Sequence, residues 1–449
     1  MYSLQPAGIY ALKSLQEDDR CLQRMDRMLT AIGRSRDDVR WYGSDLESLA
    51  EAAQELQSLH ASAEAPEGLP KSFARPWILT RGFTGETLPD FAEEFPDWPE
   101  DASVGIAQQL LGHFLPVGTY HPYAKDQAEN RVCWPTFDFC TMTGCPHGCQ
   151  YCGHGKDGTY ITLALNLEEY AEIVIPRTVA QHPWQKCFRL IGWSSDQITF
   201  EPEYGAFDIF TRALAEHDRY LYFHTAGTNV DWVAELPRKD RLIGVFSVTT
   251  EAIARDLEPG TGEHAYARFD AGARLNAMGV PVRYKFKPMI PIRNWREEYA
   301  KSIETMLRVS KPESVGFCVI MWMSLEDVGK KVPLELLDPE YVAAAREAAE
   351  DLAGNVVAPF PHHVRKEIYQ FLIREVRKYD REVPLYISTE SREMWTELAE
   401  ELGQSPNAFF CGCTPVGVPG RKLSLSEGCP HSTFTPLEQA EGAAVPCPR

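Results

Sequence analysis

The chain has no apolar run near the ~18 residues a membrane-spanning helix needs. Its opening stretch, MYSLQPAGIYALKSLQEDDR, lacks the charged head, apolar run and cleavage site of a secretory signal. These absences predict a cytoplasmic protein with no membrane partner. No internal repeat or low-complexity tract is present, which sets aside repeat architectures. Positive charge is in deficit, with 45 Lys and Arg against 64 Asp and Glu and a net charge of -19. Such a chain repels polyanions at long range, so any nucleic-acid contact must come from a local basic surface. Cysteine, by contrast, is not scarce. Twelve of them in an unsecreted chain point to reduced thiols or metal ligands rather than a disulfide framework. With 449 residues, 44% of them apolar, the chain can bury a large core as two or three domains or as one barrel with extensions.

Three sections follow from the pattern. Residues 1–130 open with helical periodicity in IYALKSLQEDDRCLQRMDRMLTAIG and in SDLESLAEAAQELQSLHA, the second capped by Ser44 or Asp45, and are expected to form a mostly helical extension. Residues 64–104, rich in Pro, Glu and Asp, read as an irregular connector. Residues 131–330 alternate short apolar strands (CFRLIGW, YLYFHTA, LIGVFSVT, VPVRYKFKPMI, VGFCVIMWM) with helical stretches. That alternation implies right-handed parallel crossovers, hence an open sheet or a barrel. Residues 331–449 carry helices around DPEYVAAAREAAEDLA and HHVRKEIYQFLIREVRKYD and end in a loop-rich tail.

The stretch CTMTGCPHGCQYCGHGKDG places Cys140, Cys145, Cys149 and Cys152 within thirteen positions. Thiolates suit zinc or iron–sulfur clusters, and structural zinc usually takes four ligands in two separated pairs. Here the tight group is three, on a glycine-bearing loop, and three thiolates on a [4Fe-4S] cluster leave one iron open. The alternative is a zinc knuckle with Cys140 or His147 as fourth ligand.

The spacing of Cys145, Cys149 and Cys152, with Tyr151 just before the last, resembles the signature of radical S-adenosylmethionine (SAM) enzymes. The resemblance implies that the open iron chelates SAM and that one electron from the cluster, supplied by an external one-electron reductant, releases a 5'-deoxyadenosyl radical. A second stretch, FSVTTEAIARDLEPGTGEHAYARFDAGARLNAMGVPVRYKFKPMIPIRNWREEY, together with WSSD at 193–196, is similar to spore photoproduct lyases. That likeness implies that Ser195 and Ser247 contact SAM and that Tyr151 packs near its adenine. A serine at a strand end also serves simply as a cap. The lyases place a hydrogen-donating cysteine where this chain has Trp193. Repair of the spore lesion is therefore not expected unless Cys140, Cys187 or Cys318 supplies the hydrogen, and Cys140, five residues before the cluster motif, is the best-placed catalytic candidate. Each of these thiols is equally a small buried hydrophobe.

In VRYKFKPMIPIRNWR, a strand puts Arg283, Lys285 and Lys287 on one face and Tyr284 and Phe286 on the other. A cationic face lining a barrel lumen would bind anionic substrate groups, unless it pairs with acids from neighbouring strands. The tail adds Cys411, Cys413, Cys429 and His431, a set that either holds a second metal or consists of unligated thiols.

The expected whole is an α/β protein, a partial (β/α)6 TIM-like barrel of radical SAM type with a helical N-terminal extension and a C-terminal cap. The expected reaction is modification or isomerisation of a thymine-derived pyrimidine in DNA, with the base flipped out to reach the radical. An isomerisation returns its hydrogen from 5'-deoxyadenosine and needs no donor cysteine, as the resemblance to thymine-hypermodifying phage isomerases implies. The alternatives are a radical SAM enzyme acting on a free small molecule or peptide, and a zinc-stabilised nucleic-acid-binding module.

Overall fold

The computed structural model describes residues 4–62, 64, 67, 70–114, 117–119, 130–134, 136–152, 160–190, 195–260 and 264–423. The first section is not purely helical. Strands β1 (Ile9–Leu12), β2 (Val39–Tyr42) and β3 (Trp77–Thr80) run parallel, with β1 between the other two. The helices Asp19–Ala31 and Leu46–Ser62 are their crossovers. The first buries Cys21, Met25, Met28 and Leu29 at helical spacing, and the Asp18 side chain caps it by accepting from the Arg20 amide. Of the two candidate caps for the second, Asp45 serves: its carboxylate accepts from the Ser48 amide at 3.0 Å. Periodicity finds such helices readily, whereas β1 and β3, four residues each and buried on both faces, offer no alternation to detect.

The second sheet is the partial barrel. Strands β5 (Phe137–Phe139), β8 (Cys187–Leu190), β9 (Tyr220–Thr225), β10 (Leu242–Val248), β11 (Val282–Met289), β12 (Ser314–Val319) and β13 (Leu385–Ile387) pair in sequence order, all parallel. Strand β4 (Val117–Thr119) adds an antiparallel edge beside β5. Between β5 and β8 the chain leaves the barrel to form β6 (Met142–Thr143) and β7 (Ile161–Ala164), which complete the first sheet in the order β2-β1-β3-β7-β6. The two sheets thus exchange chain across residue 130. They also share contacts: the Trp77 and Phe200 rings meet edge-on at 5.7 Å, and buried Arg24 donates to the Tyr204 carbonyl at 2.9 Å. No helix among the described residues is long and apolar enough to cross a membrane.

Alternation along β11 sorts its residues as the strand period demands. Tyr284 and Phe286 point outward, their rings 5.6 Å from Phe269 and 5.8 Å from Tyr299 on the covering helices. Arg283, Lys285 and Lys287 therefore face the lumen. A small apolar cluster of Cys187, Tyr222, Ile243 and Val245 fills the lumen near its amino end, with Tyr220 and Cys413 packed on it. The tail closes that end. The amides of Lys186 and Cys187 donate to the Pro415 carbonyl at 2.7 and 2.8 Å, and the indole of Trp134 donates to the Phe409 carbonyl at 3.1 Å.

Candidate functional site

The loop carrying Cys145, Cys149 and Cys152 belongs to the excursion between β6 and β7 and lies over the carboxyl ends of the barrel strands. Two anchors place it there. The Gln150 amide donates to the Leu257 carbonyl at 2.8 Å, beyond the end of β10, and Lys331, beyond β12, donates to the Cys152 carbonyl at 3.4 Å. Arg75 donates to the Cys145 carbonyl. Within the loop the Cys152 amide turns back to the Cys149 carbonyl at 3.1 Å.

His147 is the main lock. Its Nε2 lies 2.9 Å from Asp196 Oδ2 and its Nδ1 lies 3.1 Å from the Gly260 carbonyl. Asp196 also accepts from Thr225 Oγ1 at 2.9 Å and from the Ala226 amide at 2.8 Å. Burial opposes charge on both partners. Their mutual attraction and hydrogen bonds prevail, so His147 is raised and Asp196 lowered, an imidazolium–carboxylate pair with both ring nitrogens donating. The turn at Glu258, Pro259 and Gly260 comes so close beneath this loop that a Cβ at residue 260 would stand 2.0 Å from the His147 carbonyl oxygen, and only glycine fits.

A second chain of contacts runs from the loop to β10. The Tyr151 hydroxyl donates to Glu258, buried Arg268 donates to the same carboxylate, and Arg268 also donates to the Ser247 carbonyl at 3.2 Å. Tyr151 and Ser247, assigned to SAM by resemblance, are thereby joined through two residues that sequence reasoning did not single out. Glu258 stood in the quoted Glu-Pro-Gly-Thr turn and Asp196 in WSSD, so position in a matched motif was the available signal. Ser195 is half-buried next to Asp196.

The structure separates the other candidates. Cys140 is buried before β6, donates to the Met142 carbonyl at 3.5 Å and lies beside Tyr170 and Tyr204, away from the three-cysteine loop. Arg283, at the amino end of β11, is ion-paired with Glu313 at 3.2 Å and also donates to the Gly412 carbonyl. This is the acid pairing that the sequence left open. Lys285 lies 3.4 Å from the Cys413 sulfur, and Lys287, half-buried at the carboxyl end, sits 4.4 Å over the Trp322 ring. Cys187 donates to the Gly417 carbonyl and Cys318 to that of Val319, at 2.5 and 3.6 Å. Trp193, Cys429 and His431 lie outside the described residues.

Three thiols on one loop are the donor type that an iron–sulfur cluster takes. Among the described residues no three His, Cys, Asp or Glu side chains converge on a single-ion point. A four-iron cluster instead puts each thiolate on a different iron. Cys145, Cys149 and Cys152 remain near enough to act on one another electrostatically. Burial raises the Cys145 and Cys149 thiols, which metal binding would offset by deprotonating them. Of the two fourth ligands a zinc knuckle would use, His147 has both ring nitrogens engaged by Asp196 and Gly260, and Cys140 donates to the Met142 carbonyl.

No protein-family model and no curated protein sequence matches the chain. Solved structures do. A spore photoproduct lyase double mutant with bound AdoMet and dinucleoside spore photoproduct superposes with a TM-score of 0.57 at 14% identity, covering 86% of this chain and 98% of that one. Spore photoproduct lyase complexed with dinucleoside spore photoproduct gives 0.57 at 13% identity with the same coverage. The chain therefore has the α/β partial-barrel fold of that lyase.

Proposed function

We propose that this protein is a radical SAM enzyme that takes hydrogen from a thymine-derived pyrimidine and yields a modified or isomerised base. The observation that carries the reading is the three-thiol loop, laid over the carboxyl ends of a parallel partial barrel and fastened there by His147 and Tyr151. A [4Fe-4S] cluster on Cys145, Cys149 and Cys152, with SAM at its open iron and an external one-electron reductant, would supply a 5'-deoxyadenosyl radical. The protein's own part is to hold that site rigid and shielded from water. The Asp196–His147 pair and the Glu258–Arg268–Ser247 chain fix the loop on the barrel, Tyr151 and Ser247 border the cofactor position, and the tail stops the far end of the lumen.

The pyrimidine class is supported by the shared fold with a lyase whose solved complexes hold a dinucleoside spore photoproduct. Lys287, poised over Trp322 at the carboxyl end, is the described lumen cation best placed for a phosphate. The net charge of -19 favours a short or extruded strand over a long duplex. The test is anaerobic reconstitution followed by dithionite, SAM and thymine-containing oligonucleotides. A brown protein that forms 5'-deoxyadenosine and alters the oligonucleotide is expected. 5'-Deoxyadenosine formed without any change in pyrimidine-containing oligonucleotides would move the substrate to a free small molecule or peptide, and a colourless zinc protein would remove the enzyme reading.

A further inference from the structure

The tail brings a thiol into the barrel that the reading above does not use. Cys413 Sγ lies 3.4 Å from Lys285 Nζ and 3.5 Å from His224 Nε2. Its neighbours Cys411, Gly412, Thr414, Pro415 and Val416 are buried, yet Cys413 is only half-buried, as are His224 and Ser247. These three side chains open on the lumen. Cys413 also lines a small cavity together with Cys133, Lys285, Lys287, Thr389 and Cys411. The strand register fixes the depth: Lys285 pairs with Ser247, and His224 pairs with Val245. The thiol therefore stands between the levels of Val245 and Ser247, on a tail that enters from the amino end of the barrel.

The surroundings favour charge on this sulfur. Burial raises its fellow tail thiol Cys411, whereas the hydrogen bond from Cys411, then Lys285 and His224, hold Cys413 well below the usual thiol range despite burial. Burial brings His224 down to about 4, so the imidazole is neutral.

We propose that Cys413, with Lys285 as its proton partner, is the hydrogen-atom donor of the lumen and returns hydrogen to a substrate-derived carbon radical. In that step the sulfur gives one electron and Lys285 gives a proton. A C–H bond forms, a Lys285 N–H bond breaks, and Cys413 becomes a thiyl radical. One electron from the external reductant and one proton from solvent restore the trio. The proposal rests on the radical reading above and deepens it. With a donor in the lumen, a tryptophan at position 193 no longer implies isomerisation, and SAM is consumed once per turnover.

The reconstituted full-length chain is incubated anaerobically in D2O with SAM, dithionite and thymine-containing oligonucleotides, and carbon-bound deuterium in the altered oligonucleotide is read by mass spectrometry. Because the Cys413–Lys285 hydrogen exchanges with solvent, wild type should place one deuterium in the product, and Cys413→Ser should bring the label to background. An isotopic fraction does not depend on how much product forms. Absence of 5'-deoxyadenosine from wild type would overturn the radical reading itself. Unlabelled product from wild type, or label unchanged in Cys413→Ser, would overturn the donor role alone. A second readout avoids the cluster: iodoacetamide at neutral pH, mapped by peptide, should modify Cys413 well before Cys187, and Lys285→Met should move the pH at which Cys413 alkylation is half-maximal upward. Equal reactivity of Cys413 and Cys187 would also overturn the assignment.

Discussion

Cys145, Cys149 and Cys152 lie within eight positions of one another, whereas Cys413 meets Lys285 and His224 across 128 and 189 residues of chain. Both groups border one lumen, from opposite ends, and they are built by different physics. The loop is a local device, a turn whose spacing sets the order of its sulfurs and whose fixation comes from two buried charged pairs. The tail thiol has no local logic. Its environment is assembled by β9, β11 and a segment crossing beneath them. The difference teaches that a dense thiol motif announces a metal centre, while an isolated thiol acquires chemistry only from what packs around it.

Perturbing each end should separate the two roles. The largest effect is expected from Cys145→Ala, Cys149→Ala or Cys152→Ala: bound iron and 5'-deoxyadenosine formation should fall to background, while Cys413→Ser should retain its iron, as measured by iron and sulfide analysis. Next comes the buried pair beneath the loop. Glu258→Ala strands Arg268, both side chains being about 1% exposed, and should cost about 3–5 kcal/mol in urea denaturation.

At the tail end, His224 supplies a pH signature. Burial depresses it to about 4 while an unfolded histidine titrates near 6.5, so between those values the unfolded state binds the extra proton. Stability should thus fall as pH drops through that window, by on the order of 3 kcal/mol. The titratable and charged groups facing it are Cys413, Arg189 and Lys285. His224→Gln should flatten this slope, read as the difference in denaturation midpoint between pH 7 and 4.

The smallest effects should come from two glycines, at about 1–3 kcal/mol each. In Gly260→Ala the new methyl would press on the His147 carbonyl, which should lower iron occupancy. In Gly412→Ala it would stand 2.4 Å from the Tyr386 hydroxyl, which should loosen the tail, quicken Cys413 alkylation and leave iron occupancy unchanged.

Much of the barrel was legible because its strands are punctuated by helices of clear 3.6-residue period, and β8 to β12 fall on the apolar runs quoted above. The inward face of β11 followed from period-two alternation alone. The N-terminal strands were not legible: IYAL and WILT are buried on both faces and too short to show alternation. The excursion of β6 and β7 into the other sheet was also hidden, because pairing partners are chosen by long-range packing. His147 was open as a fourth zinc ligand in the sequence, and in the fold Asp196 and Gly260 occupy its two nitrogens. Arg283 read as a substrate cation until Glu313, thirty residues on, came beside it.

The sequence by itself determined the α/β alternation, the three-thiol motif and its spacing, and the chemical class these suggest, because each is encoded by neighbours along the chain. Only the tertiary structure decided which thiols face the lumen, which cations are already paired, and how the loop is fastened to the barrel. Those outcomes depend on side chains separated by tens to hundreds of residues, and on burial, which changes the cost of charge far more than identity does.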